Sequence, residues 1–81
     1  MADRRLKLRD LRKILRRYGV QENRSLGKGS HTTFWKEFPE GVFSYPVPTN
    51  RNDVHVVYVK GCRKKFRLRA EDGVPDKEFY G

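Results

Sequence analysis

The sequence predicts an α+β domain: a helix, three strands and a second helix, with both helices on one face of a three-stranded antiparallel sheet. Three observations lead there. Apolar residues at Leu8, Leu11, Leu15 and Tyr18 recur at the spacing of one helix face. Segments 30–38 and 42–47 are rich in β-branched and aromatic residues, and the turn signal Pro39-Glu40-Gly41 separates them. A sheet this small needs a covered face, which favours a second helix within 54–68.

The first helix is predicted over Leu8–Tyr18, with Ile14 widening its apolar face. Gly19 is placed to end it in a left-handed conformation. Arg9, Arg12, Lys13, Arg16 and Arg17 occupy the other sides and read either as an RNA-contacting face or as a solvated one. Val20–Leu26 reads as a short strand, although Gln21, Glu22 and Asn23 are poor strand formers. A glycine turn follows, then the strand Ser30–Phe38 and, after the next turn, the strand Val42–Val47. Pro46 and Pro48 are expected to mark the end of that strand, because proline donates nothing to a ladder. Alternation puts Thr32 and Phe34 on one face of the middle strand and His31, Thr33 and Trp35 on the other. Phe34 is expected to pack on the helices with Phe43 and Tyr45.

Thr49–Asp53 reads as a polar loop. Val54–Val59 is a strand by propensity, yet Val57, Tyr58, Cys62 and Phe66 also fit a helical stripe. On that reading Asn52 or Asp53 caps the helix, and Arg63, Lys64, Lys65 and Arg67 fill its remaining faces. Gly61 inside it costs about 1 kcal/mol of helix propensity. Residues 69–81 read as an acidic extension of a core spanning about 7–68, with Phe79 and Tyr80 docking back on the body.

The 81 residues make one small domain with a thin core. No apolar run approaches a membrane span, and the N-terminus has no apolar stretch of the signal-peptide type, so a cytoplasmic protein is expected. The single cysteine, Cys62, excludes an internal disulfide and reads as a small core residue. His31, His55 and Cys62 lack metal-ligand spacing, so neither a metal nor another cofactor is expected. The formal net charge of +9 points to a polyanionic partner, usually nucleic acid.

The candidate chemistry centres on Gly27-Lys28-Gly29-Ser30-His31. A glycine-rich turn with one lysine delivers a histidine to the start of a strand, and histidine exchanges protons near neutral pH. Trp35, on the same face as His31, reads either as a stacking platform for a base or as ordinary packing.

The run Leu11–Gly19, the stretch Gly27–Phe34 opening the second strand, Phe43-Ser44-Tyr45-Pro46 and the stretch Tyr58–Leu68 together resemble the HicA toxins of bacterial and archaeal toxin–antitoxin modules. The resemblance covers about 7–68. It implies a fold similar to a double-stranded-RNA-binding domain and resolves 54–68 as a helix. It also implies metal-independent cleavage of mRNA, silenced by a HicB antitoxin, with His31 as the catalytic histidine. No role passes to Thr32. Cleavage needs a base for the ribose 2′-hydroxyl, an acid for the leaving 5′-oxygen and cations for the phosphorus-bound charge. His31 is the base or the acid. Arg24 and Lys28, with backbone N–H groups around Gly29 and Ser30, are candidates for charge stabilisation, and Trp35, Lys64 and Lys65 for RNA contact. His55 is a possible second proton-transfer group. The alternative is an RNA-binding module of the same fold without chemistry.

Overall fold

Leu8, Leu11, Ile14 and Leu15 are withdrawn from solvent along one side of the first helix, as their spacing predicted. The structure, a computed structural model, describes residues 3–23 and 31–81. Over these the elements are β1 (Leu6–Lys7), α1 (Leu8–Arg17), β2 (Gln21–Asn23), β3 (His31–Phe38), β4 (Gly41–Pro48), β5 (Asp53–Val54), α2 (Val56–Lys65), a 3-10 turn (Ala70–Asp72) and α3 (Asp76–Tyr80). Gly19 has φ 81°, and the N–H of Val20 reaches back to the carbonyl of Leu15 at 3.0 Å. This left-handed ending closes α1 where the glycine indicated.

The main sheet runs β2-β3-β4, antiparallel throughout. Thr32 and Phe34 are 2% and 1% exposed, whereas His31 is exposed, so the alternation on β3 holds. Phe34 pairs with Tyr45 and joins the core formed by Val47, α1 and α2, which places both helices over one sheet face. Phe43 lies at the margin, tilted against Phe38 at 5.0 Å. β4 ends at Pro48 as expected, but Pro46 lies inside the strand. Pro46 pairs with Thr33 and Pro48 with His31. An edge strand tolerates proline where the missing N–H would have faced outward, and β4 is an edge.

The segment after the sheet departs from the predicted boundaries. Val54 does belong to a strand, but only a two-residue one, paired with Leu6 in a small second sheet. The helix starts at Val56 and is capped by His55 rather than Asn52 or Asp53: the Val57 N–H donates to His55 Nδ1 at 3.1 Å. Gly61 has a packing reason. A Cβ there would lie 2.0 Å from Tyr45 Oη, so only glycine lets that ring approach α2.

Arg63 differs most from its reading as a surface cation. It is 2% exposed and turned into the protein. Its Nη1 donates to Asp3 at 2.7 Å and Asp76 at 2.6 Å, Nε to the Leu68 carbonyl at 2.8 Å, and Nη2 to the Val74 carbonyl at 2.7 Å. The guanidinium also lies 4.6 Å from the Phe79 ring centroid. Phe79 is fully buried and stacks on Tyr18 at 6.2 Å. The core therefore extends past Leu68 to α3, and the aromatics of the tail dock as expected. Among the described residues, no buried polar side-chain atom lacks a hydrogen-bond partner.

Candidate functional site

The sheet face turned away from the helices is assembled by register. His31, Thr33, Trp35 and Glu37 alternate along β3. They lie opposite Pro48, Pro46, Ser44 and Val42 of β4, and Trp35 and Thr33 also face Gln21 and Asn23 of β2. His31 is exposed at the first position of β3, immediately after residues 24–30. On the covered side its neighbour Thr32 is tied to Thr49 by a 3.2 Å hydroxyl contact, which holds the loop after Pro48 to the start of β3. The histidine thus projects from a rigid ladder.

Trp35 is half-buried on the same face, four positions along the strand from His31. At about 3.3 Å per residue that separation is roughly 13 Å, so the two side chains do not form one compact cluster. Arg24, Lys28, Gly29 and Ser30 lie outside the described residues. Lys64 and Lys65 do not join His31. They belong to the C-terminal turn of α2 on the covered side, with Lys65 Nζ 5.8 Å from the Phe43 ring centroid. Phe43 pairs with Lys36, five positions from His31. His55 is engaged as the cap of α2, where Nδ1 must be unprotonated to accept the Val57 N–H.

Several cations are held by the protein itself. Arg12 pairs with Glu22 at 3.0 Å, Arg17 donates to the Phe79 carbonyl at 3.2 Å, and Lys36 donates to the Tyr18 carbonyl at 2.7 Å. Arg67 pairs with Glu40, and Arg69 with Asp72 at 3.2 Å. The Arg67 guanidinium beside Glu40 holds that carboxyl below its usual range. Arg9, Lys13 and Arg16 remain exposed on α1. None of the open-face positions on the described strands carries lysine or arginine.

A groove of about 640 Å³ opens on the other side, between α2 and β4. Phe43, Tyr45 and Gly61 line it together with Lys64, Lys65, Arg67, Arg69 and Asp72. Sequence reasoning missed this assembly because it depends on which way α2 is turned and on the position of the Tyr45 ring against Gly61. The glycine was its one visible signal. Cys62 is fully buried, and burial pushes its thiol up to about 12, which removes it as a nucleophile. Among the described residues, no three His, Cys, Asp or Glu side chains come together as a metal site, and no helix is long and apolar enough to cross a membrane. Comparison of the chain with models of protein families, with curated proteins and with solved structures finds no match.

Proposed function

We propose that this protein is a HicA-like toxin, with a fold related to the double-stranded-RNA-binding domain. It cuts mRNA in the cytoplasm without a metal ion and is neutralised by an acidic antitoxin of the HicB type. The observation that carries the reading is His31, exposed at the head of β3 on the face away from both helices. There it can exchange a proton with the ribose 2′-hydroxyl or the leaving 5′-oxygen without disturbing the core. The chain's +9 charge supports a polyanionic substrate; Lys28 is the cation nearest to His31 in sequence, and Arg24 precedes the same glycine turn. The antitoxin acts by covering the open face.

The test incubates the chain with a defined RNA in the presence of a chelator, beside the His31→Ala variant. The parent is expected to cut, and the variant to lose roughly a hundredfold to ten-thousandfold in rate. The variant should retain its fold, because exposed substitutions change stability by less than about 0.5 kcal/mol. A bound HicB-type protein should stop the cutting and shield His31 from chemical modification. Parent-rate cleavage by a folded His31→Ala variant would falsify the assignment. The second reading, RNA binding without chemistry, is favoured by the lack of lysine and arginine at the described open-face strand positions. It predicts RNA retained intact by both proteins.

A further inference from the structure

We propose that the groove between α2 and β4 is a second RNA-contacting surface, which holds a single-stranded segment of the substrate away from His31. The inference rests on RNA being the substrate, but not on His31 being catalytic. Phe43 and Tyr45 supply aromatic surface, and Lys64, Lys65, Arg67 and Arg69 gather around them. The volume of about 640 Å³ lies within the range of sites that enclose a small ligand, enough for a base with its phosphate.

The cations divide into two kinds. Arg67 is held in place: it pairs with Glu40, and its guanidinium lies 4.7 Å from the Phe38 centroid and 5.4 Å from the Phe43 centroid. Its backbone has φ 58°, a left-handed position that glycine occupies without strain. The Leu68 N–H closes the same type of helix ending there, on the Arg63 carbonyl at 2.7 Å, as Val20 does after Gly19. An arginine at such a position keeps a planar cation beside two rings where glycine would keep nothing. Lys64 and Lys65 are different. They are exposed and have no ion pair among the described residues, so their charges are available to phosphates.

Cations beside aromatic and guanidinium planes suit an unpaired strand, whose bases can stack and whose phosphates stay outside. A duplex keeps its bases inside and offers only phosphate. A peptide strand added to the edge of β4 is a poorer fit, because Pro46 and Pro48 remove outward N–H donors along that edge. The groove is also separate from the candidate cleavage site. It lies on the helix side, with Phe43 about 17 Å along the ladder from His31.

The test measures binding of a fully 2′-O-methylated single-stranded RNA, which has no free 2′-hydroxyl and stays intact whatever His31 does. Fluorescence anisotropy is read for the parent chain, Lys64→Gln/Lys65→Gln and the charge-matched control Lys60→Gln/Lys77→Gln. The groove variant should bind at least about tenfold more weakly at moderate salt, and its salt slope should fall by about 1.4 for the two lost phosphate contacts. The control should change by less than about threefold. Phe43→Leu, checked for its fold by thermal melting, should also weaken the single strand and leave a duplex of the same sequence unaffected. Equal losses in the two double variants overturn the proposal, as does an equal effect of the groove variant on duplex and single strand. Loss of poly-glutamate binding with RNA binding unchanged overturns it in favour of an acidic protein dock. Cleavage that depends on His31 while the groove variant binds RNA normally removes the groove alone. Groove-dependent binding without cleavage removes only the catalytic reading.

Discussion

Arg63 illustrates how a charge count misleads at the scale of a single residue. Nothing near it in the sequence separates it from Lys64 and Lys65, because its carboxylate partners, Asp3 and Asp76, lie far away in the chain. Removing one partner of a buried ion pair typically costs 3–5 kcal/mol, so Arg63→Met should destabilise the protein by about 3 kcal/mol or more in a denaturant titration. Burial opposes the charge on Asp3, but hydrogen bonds from Arg63 and Tyr80 outweigh it and hold the carboxyl below its ordinary range. A carboxylate held low contributes stability above its unfolded-state value and loses it as pH falls through the folded-state value. Stability should therefore decline below about pH 4, and Asp3→Asn should flatten that part of the profile. A parent melting temperature that stays level through this range would contradict the linkage. Gly61 makes a second residue-scale case. Gly61→Ala improves helix propensity by about 1 kcal/mol, yet it should lower the melting temperature. The new methyl meets the Tyr45 ring, and overpacking costs typically 1–3 kcal/mol. A variant more stable than the parent would show that Tyr45 moves aside freely.

At the scale of elements, legibility followed amphipathicity. α1 keeps its four buried residues on one side, and its glycine ending can be read directly. The β3 alternation is as plain, and it put His31 and Trp35 on the correct face. α2 was harder for a physical reason. It turns Arg63 inward and leaves Val57 55% exposed, so its apolar stripe is blurred, and its valines carry strand propensity. The need to cover a small sheet favoured a helix there, and the family resemblance resolved the choice. Of the two prolines, Pro48 does end β4, whereas Pro46 sits inside it, because edge position, which a sequence does not display, decides whether a strand tolerates proline. The candidate site was legible only in part. Its histidine came from the turn signal, whereas the placement of Lys64 and Lys65 depended on the rotation of α2 about its axis.

At the scale of the molecule, the acidic tail completes the body. α3 contributes Phe79 to the core, and Arg17 of α1 donates to that residue's carbonyl. The formal charge of +9 is unevenly spent, with some arginines holding the fold and other cations left exposed. The contacts of Tyr80 have a topological consequence. Its hydroxyl lies 2.8 Å from Asp3 Oδ1 and accepts the Arg4 N–H at 3.1 Å, so residues 3 and 80 are near neighbours in space. The order of segments can then be rearranged with little strain. A circular permutant that links residue 81 to residue 3 through a few glycines and opens between Asn50 and Arg51 should fold with Arg63 still between Asp3 and Asp76. Its circular dichroism spectrum and melting transition should match those of the parent closely. A permutant that stays unfolded, while one opened elsewhere folds, would show that the Thr49–Asn52 loop must be covalently continuous for the two sheets to form.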